Sequence, residues 1–180
     1  FSRNQVRLVA TPQLMLEAAG KEAEKFGITS IILSDRIEGE AREVAKVHAA
    51  IAKQIKHREQ PIHAPALILT GGETTVTVRG NGKGGRNTEF VLSLLEALQG
   101  EEGIAAIAVD TDGIDGTEDN AGAWMDENSF LKAKQLKLKA NDFLDNNDAY
   151  SFFQQLEQLV LTGPTMTNVN DFRAIFVDQP

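Results

Sequence analysis

The chain has 180 residues, 42% of them hydrophobic, and its 18 basic and 26 acidic residues give a net charge of −8. This length suits one domain with one core, while the negative charge argues against nucleic acid and anionic membrane surfaces as partners. The sequence has no cysteine, which excludes disulfides, thiolate nucleophiles and cysteine-ligated zinc, and because no apolar run approaches the roughly 20 residues of a membrane span, we expect a soluble, cytoplasmic protein.

The first half of the chain predicts strands that alternate with helices. The hydrophobic spacing indicates, in chain order, a strand at Val6–Ala10, a helix from Thr11 to Gly27, a strand at Ile28–Leu33, a helix at Glu40–His57, and strands at Ala66–Thr70 and Thr74–Val78. Thr11 is a suitable N-cap and Pro12 a suitable first helical residue. Gly71-Gly72 permits a tight reversal, so the last two strands are predicted to form an antiparallel pair.

The second half of the chain continues this alternation. The pattern predicts a helix that begins at Asn87 or Thr88 and ends at Gly100, a strand at Ile104–Val109, helices at Ser129–Leu138 and Ala149–Leu156, and strands at Leu159–Thr162 and Phe172–Val177. The run Ile104–Val109 is continuously apolar, as expected for a strand that is covered on both faces. We therefore predict an α/β fold with a single domain, residues 1–180, in which a mixed, mostly parallel β-sheet carries helices on both faces.

The loop that leads into the third predicted helix is rich in glycine and carries two cations, Lys83 and Arg86. Closely spaced glycines let backbone N–H groups turn toward one point, and a helix start adds a favourable field for an anion. The candidates for phosphate binding in this loop are Lys83, Gly84, Gly85 and Asn87. Arg86 presents a planar fork to a phosphate or a carboxylate. The alternatives are a flexible hairpin exit for the loop and a surface ion pair between Arg86 and Glu89.

The same loop has the Gly-x-Gly-x-x-Gly spacing of dinucleotide-binding turns at Gly80, Gly82 and Gly85, and Asp110 ends the following strand. This spacing favours a nicotinamide cofactor, NAD(P)H. Three features argue against it: the preceding strand is predicted to be one arm of a hairpin, Glu89 lies in the first helical turn, and further acidic residues follow Asp110. The loop does not fit the Walker pattern either. NAD(P)H binding stays open as an alternative.

The loop from Asp110 to Gly122 concentrates acidic residues after a buried strand, where open α/β sheets bind ligands. Asp110, Asp112 and Asp115 could bind Mg²⁺ through one or two carboxylates and water molecules, or one of them could act as a base. Asp110 and Asp112 are the candidate metal ligands. The alternative is a polar loop with Asx-turns, which is the commonest use of Asp-Gly and Asp-Asn pairs.

Four ordered motifs carry a family resemblance: TGGETTV at residues 70–76, GGRNTE at 84–89, DTDGIDG at 110–116 and GPTMTNVND at 163–171. They resemble the MOFRL domain, the C-terminal part of class II glycerate 2-kinases, which also carry the name of hydroxypyruvate reductases of tartrate utilisation. The resemblance extends over essentially the whole chain. It implies that the larger N-terminal Rossmann-like domain of the family is missing here, and because the chain starts at Phe1 we expect a fragment.

The resemblance implies phosphorylation of D-glycerate by MgATP in a cleft between two domains. It implies that Arg86 holds a phosphate or the substrate carboxylate, and that Asp112 and Asp115 act as catalytic base and metal ligand in an order left open. Gly71, Gly72 and Glu73 join the candidates for nucleotide or phosphate binding. The implied partners are the N-terminal domain of the same protein and a small hydroxy acid. Two rivals stay open: an NAD(P)H-dependent hydroxypyruvate reductase and a non-catalytic regulatory or assembly module.

Overall fold

The structure is a computed structural model that describes residues 9–179. The elements within this range are α1 Pro12–Glu24, β1 Thr29–Glu40, α2 Ala41–Arg58, β2 Ala66–Thr75, α3 Arg86–Leu98, β3 Ile104–Asp110, β4 Gly122–Met125, α4 Ser129–Gln135, α5 Ala140–Asp145, α6 Ala149–Leu156, β5 Leu159–Val160 and β6 Asp171–Val177. In this range no helix is both long enough and apolar enough to cross a membrane. The predicted strand at Val6–Ala10 falls outside the described residues, apart from its last two, which are not in a strand.

The six strands form one sheet in the order β1-β2-β6-β3-β4-β5. The prediction of a mixed α/β sheet is confirmed, but the expected predominance of parallel pairing is wrong. Only β1 and β2 pair in parallel, and the other four pairings are antiparallel. The reason is that β6 enters between β2 and β3 in the opposite direction, so these two strands, which share one direction, are not neighbours.

The Gly71-Gly72 pair lies in the middle of an unbroken strand, so the predicted reversal at this point is wrong. The backbone of Gly72 pairs with Ile37 on one side and with Asp171 on the other. Its φ is 120°, and a Cβ at this position would lie 2.2 Å from the backbone nitrogen of Ile37. Glycine is therefore needed here for the close approach of an irregular neighbouring strand and not for a turn.

Helices cover both faces of the sheet, as predicted. On one face, Leu16 of α1 packs against Leu69 of β2 and Ala174 of β6. On the opposite face, α2 and α3 pack over the alternate residues of the same strands, among them Ile68 and Ile175, and form the larger core. This arrangement follows from the period of two in a strand, which sends neighbouring side chains to opposite faces.

Helix α3 is buried on almost every side, although its spacing predicted a single apolar face. Its residues from Asn87 to Leu95 are all buried, because α2, α5, α6 and the sheet surround it. The N-terminus of α3 is therefore held firmly in the molecule.

Helix α5 was not predicted, and the helix predicted at Ser129–Leu138 ends at Gln135, before Lys137 turns the chain with a φ of 59°.

Candidate functional site

Arg86, the first residue of α3, lies among three carboxylates. Its Nε donates to Asp171 Oδ1 at 2.8 Å and its Nη2 donates to Asp110 Oδ2 at 2.5 Å. Its Nη1 lies 3.5 Å from Glu73 Oε1 at the surface, and the side chain is 25% exposed. The guanidinium is thus anchored along its Nε–Nη2 edge and reaches the surface at Nη1. The alternative ion pair between Arg86 and Glu89 is wrong, because the ion pairs of Arg86 within residues 9–179 join it to these three other carboxylates.

The four sequence motifs therefore meet at one point. Glu73 comes from the first motif, Arg86 from the second, Asp110 from the third and Asp171 from the fourth. The sheet explains this convergence: Asp110 ends β3, Asp171 begins the adjacent antiparallel β6, and the two residues pair directly. The start of α3 then brings Arg86 over this pair.

Asp171 links Arg86 to the interior of the protein. It is fully buried, and its Oδ1 also accepts a hydrogen bond from Asn87 Nδ2 at 2.9 Å. Its Oδ2 accepts a hydrogen bond from Nη2 of Arg173, which is likewise fully buried. The guanidinium of Arg173 lies over the ring of Phe90, 5.2 Å from its centroid. Two guanidinium groups therefore share one carboxylate, which offsets part of the cost of burying these charges.

Asp110 is only 5% exposed, and its removal from water raises the pKa of its carboxyl to about 6. A hydrogen bond from the backbone of Asp112 and the positive charge of Arg86 oppose this rise in the pKa, whereas the charges of Asp112 and Asp171 add to it. Asp110 Oδ2 accepts a hydrogen bond from Arg86, and Asp110 Oδ1 accepts one from the backbone N–H of Asp112.

Asp115 caps the N-terminus of α3 from a distant loop. Its Oδ1 accepts a hydrogen bond from the backbone N–H of Asn87 at 2.9 Å, and its Oδ2 accepts from the N–H and the hydroxyl of Thr88 at 2.8 and 2.9 Å. Burial raises the pKa of the Asp115 carboxyl, and these hydrogen bonds oppose that rise. A carboxylate that is fully buried and bonded in this way satisfies the unpaired helix amides. The contacts thus indicate a structural role for Asp115 and not the catalytic role that the resemblance implied.

Asp112 lies at the outside of the same loop. Its Oδ1 accepts from the backbone N–H of Ile114 at 2.9 Å, which is an Asx-turn, and its Oδ2 lies 3.3 Å from Asn168 Nδ2. The open alternative of a polar turn thus describes this residue well. Among the described residues, no hydrogen bond or ion pair joins Asp112 to Arg86; the backbone N–H of Asp112 donates to Asp110, which pairs with Arg86.

The aspartates do not converge on a common point that suits a cation. Both oxygens of Asp110 already face donors, and Asp115 points into the start of α3. Among residues 9–179, no group of three or more His, Asp or Glu side chains could hold a metal ion. The proposed pair Asp110 and Asp112 therefore does not fit Mg²⁺, because a cation at Asp110 would have to compete with Arg86.

The glycine-rich loop uses its amides within the protein. The N–H groups of Arg79 and Gly80 donate to Asn147 Oδ1, that of Asn81 to Asn146 Oδ1, that of Gly82 to the Asn146 carbonyl and that of Lys83 to Asp148 Oδ1. The expectation that these amides form a bare phosphate cradle is therefore wrong for this stretch. A Cβ at Gly80 would lie 2.3 Å from the Asn146 carbonyl oxygen. Glycine is needed there because the loop lies against the turn between α5 and α6.

The sequence analysis did not identify Asn147, whose side chain connects this loop to α3 by hydrogen bonds. Its side chain is buried and accepts from the loop as described, while its Nδ2 donates to Glu89 Oε2 at 3.1 Å. Glu89 in turn accepts from Arg42 Nε at 2.8 Å. Asn147 has a φ of 53°, which asparagine adopts more readily than most residues. An asparagine pair in a short turn carries no pattern that distinguishes this role from an ordinary turn.

A cleft of about 700 Å³ opens beside Arg86. Its lining includes Glu38, Glu73, Gly84, Gly85, Arg86 and Gly116. Lys83 does not line the cleft, and its Nζ lies 3.4 Å from Glu118 Oε2. Arg86 is therefore the cation that the predicted loop contributes to this cleft, and three carboxylates, those of Glu38, Glu73 and Glu89, also line it.

The remaining candidates for phosphate binding are distributed unevenly. Gly71 and Gly72 are buried within β2, and of these three candidates it is Glu73 that reaches the cleft, with 59% of its side chain exposed. Asn87 is fully buried and turns both its N–H and its Nδ2 toward aspartates. Gly85 stands at the cleft wall, and a Cβ there would lie 2.3 Å from Asp115 Oδ1. Gly85 is thus required for the capping contact with Asp115.

The geometry also bears on the dinucleotide spacing at Gly80, Gly82 and Gly85. In a dinucleotide-binding turn, the pyrophosphate lies at the start of the following helix. In this structure the Asp115 carboxylate occupies that position. Asp110, the acidic residue at the end of the following strand, is buried against Arg86. The contacts of this loop therefore argue against a nicotinamide site.

Comparisons with known proteins place this geometry in a family. Residues 66–171 match the MOFRL family. The chain is 49% identical to a protein of Agrobacterium vitis that carries the name of a hydroxypyruvate reductase, over 96% of this chain and 40% of that protein. It is 39% identical to a D-glycerate 2-kinase of Thermotoga maritima, over 95% of this chain and 41% of that protein.

The fold is similar to that of a solved glycerate kinase. The crystal structure of glycerate kinase from Thermotoga maritima superposes with a TM-score of 0.93 and 36% identity, over 96% of this chain and 42% of that one. The α/β fold is thereby confirmed. The chain spans less than half the length of these relatives, which fits the presence of a further domain in them.

Proposed function

Because this chain belongs to the MOFRL family, we propose that its 180 residues form the C-terminal domain of a glycerate 2-kinase-like enzyme that phosphorylates D-glycerate with ATP. In this proposal, a second, N-terminal domain completes an active site between the two domains. The 39% identity to a D-glycerate 2-kinase and the fold shared with a glycerate kinase support the reaction class. We call the longer polypeptide of this proposal the full-length enzyme.

The anchored guanidinium of Arg86 at the wall of the cleft is the observation that carries this proposal. An arginine held on one edge by two buried carboxylates keeps its free end in one place, and such preorganised donors stabilise the charge that develops on a transferring phosphoryl group. Catalysis of phosphoryl transfer depends largely on positioning and on charge stabilisation. The role that fits Arg86 is to bind a phosphate or the glycerate carboxylate through its exposed end.

The balance of charge in the cleft supports an active site that is shared between two domains. Glu38, Glu73 and Glu89 line the cleft beside Arg86, so this domain does not offer an excess of positive charge to a triphosphate. The neutralising groups would come from the N-terminal domain and from the counterions that ATP carries. Asp110 and Asp112 do not fit Mg²⁺, so the proposal assigns this pair no metal. We expect the isolated chain to show no kinase turnover.

Substitution of Arg86 in the full-length enzyme tests this proposal. Arg86→Ala should lower kcat/KM for glycerate-dependent ADP formation by on the order of 10²-fold or more, as loss of a preorganised donor does. Arg86→Lys should recover little, because an ammonium group cannot keep both carboxylate anchors and still reach a ligand. Arg58→Lys, on the exposed end of α2, is the matched control. Wild-type activity in Arg86→Lys would refute the role of Arg86 and would favour a regulatory or assembly module.

A hydroxypyruvate reductase is the second candidate, and the name of the Agrobacterium vitis relative is the observation in its favour. It would require a nicotinamide site outside the Gly80–Gly85 loop, whose helix start is already capped by Asp115. Titration of the full-length enzyme with NADH and with ATP, followed by calorimetry, separates the two functions. Binding of NADH together with hydroxypyruvate-dependent oxidation of NADH would establish the reductase instead of the kinase.

A further inference from the structure

Asp171 contacts Arg86, the first turn of α3 and the buried Arg173 together. Its Oδ1 accepts from Arg86 Nε at 2.8 Å and from Asn87 Nδ2 at 2.9 Å, and its Oδ2 accepts from Arg173 Nη2. Asp171 is completely shielded from solvent, as is Arg173. A carboxylate held at both oxygens by buried donors has very little freedom to turn.

This rigidity matters because the arginine side chain is long and flexible. A guanidinium that must meet its ligand at a fixed place loses considerable rotamer freedom, unless the protein has already fixed it. Asp110 fixes the Nη2 end, and Asp171 fixes the Nε end near the stem of the side chain. Two contacts at separate nitrogen atoms define the plane of the guanidinium, whereas one contact would leave the group free to rotate.

We propose that Asp171 is a positioning residue that acts on phosphoryl transfer through Arg86. In this role Asp171 does not touch substrate or nucleotide, because it is buried behind the guanidinium. Arg173 and Asn87 hold Asp171 in place, so the orientation of Arg86 is set from the interior of the domain. This inference rests on the proposed kinase function and extends it to a residue that neither the loop pattern nor the acidic pattern identified.

The competing explanation is that Asp171 only stabilises the fold, because it partners the buried cation of Arg173. The two explanations differ in one respect. A structural residue lowers activity by lowering the folded fraction, whatever residue stands at position 86. A positioning residue loses its effect on the folded enzyme once the guanidinium of Arg86 is gone.

A double-mutant cycle in the full-length enzyme separates them. Asp171→Asn, Arg86→Lys and the double variant would be compared with wild type by kcat/KM for glycerate-dependent ADP formation, normalised to the folded fraction from circular dichroism. We expect Asp171→Asn alone to lose on the order of 10²-fold, the size of effect that follows a misplacement of about 1 Å. The double variant should lose about as much as Arg86→Lys alone, and not the product of the two single losses.

Each result has a defined meaning. Losses that multiply, or normal activity in folded Asp171→Asn, would overturn the positioning role while the kinase assignment stands. Wild-type activity in Arg86→Lys would refute the role of Arg86, and the positioning role with it. A wild-type full-length enzyme that forms no ADP with glycerate would instead refute the proposed function. If Asp171→Asn does not fold, Arg173→Met provides the second cycle, because it removes the partner of Oδ2 and leaves the contact of Oδ1 with Arg86. We expect a several-fold loss that disappears in the Arg86→Lys background, and a loss that persists there would overturn the proposal.

Discussion

Replacement of Asp115 by asparagine should destabilise the protein, because both oxygens of the carboxylate accept hydrogen bonds from the first turn of α3. Oδ1 accepts from the N–H of Asn87, and Oδ2 accepts from the N–H and hydroxyl of Thr88. Asparagine has one acceptor oxygen, so either orientation of its amide leaves one of these two sides facing an NH₂ group. At least one buried backbone N–H then loses its partner, and the remaining hydrogen bonds lose their assistance from charge.

The expected size follows from these contacts. A buried donor without a partner costs about 1–3 kcal/mol, and a lost helix cap costs about 0.5–2 kcal/mol. The two values are not additive, because the same amides are counted in both. The neutral asparagine also avoids the cost of burying a charge, which offsets part of the loss. We expect a decrease of about 1–3 kcal/mol in the free energy of unfolding, which for a chain of this size lowers Tm by roughly 2–12 °C.

Urea unfolding of the 180-residue chain measures this change, and hydrogen exchange locates it. The amides of Asn87 and Thr88 should exchange faster in Asp115→Asn, while those in the middle of α3 change less. Asp112→Asn is the matched control in the same loop, because asparagine keeps its Asx-turn with Ile114, and its stability should stay within about 0.5 kcal/mol of wild type. If repulsion among the aspartates dominated, Asp115→Asn would be more stable than wild type, and the capping assignment would be refuted.

Three further substitutions test other contacts. Gly85→Ala should destabilise the protein and displace Asp115, because its Cβ would lie 2.3 Å from Asp115 Oδ1. A free energy of unfolding equal to that of wild type would contradict this. Asn147→Ala should raise proteolysis of the Gly80 loop, which loses hydrogen bonds from two amides, and an unchanged cleavage rate would argue against that attachment. His48 lies buried on α2, and this burial lowers the pKa of its imidazole. The contribution of neutral His48 to the free energy of unfolding should therefore be fully present above the unfolded pKa of about 6.5 and should be lost as the pH falls below it. His48→Gln should weaken the pH dependence of the free energy of unfolding, measured with urea between about pH 5 and 7. An unchanged pH dependence would assign the effect to other groups.

The helices were predictable where the hydrophobic period was long and local. The helix at Ala149–Leu156 has the predicted bounds, and α2 differs from its prediction by one residue at each end. The sheet was less predictable, because strand pairing joins residues that are far apart in the sequence. Gly71-Gly72 shows the limit: two glycines favour a turn locally, but pairing on both sides keeps β2 extended. Four-residue β4 is too short for a period of two to be recognised.

The site was predictable in its chemistry but not in its contacts. Arg86 was identified because a cation in a glycine-rich loop before a helix suggests an anion, and the structure places it at the cleft. Its partner Asp171 lies 85 residues away in the sequence and was seen only as the last residue of a motif. For Asp115, the local sequence does not distinguish an aspartate that caps a helix from another loop from one that faces a ligand, and its contacts favour the cap.

The central place of β6 has a consequence for the order in which the molecule can be built. This strand follows the other five described strands in the sequence, yet it joins β1 and β2 to β3, β4 and β5. During synthesis on the ribosome, the two parts of the sheet are made before the strand that connects them, and their long-range pairing must wait for it. Asp171 opens the same strand, so Arg86 acquires its inner anchor only in the final stage of folding. We therefore expect assembly of the sheet and completion of the Arg86 site to occur together.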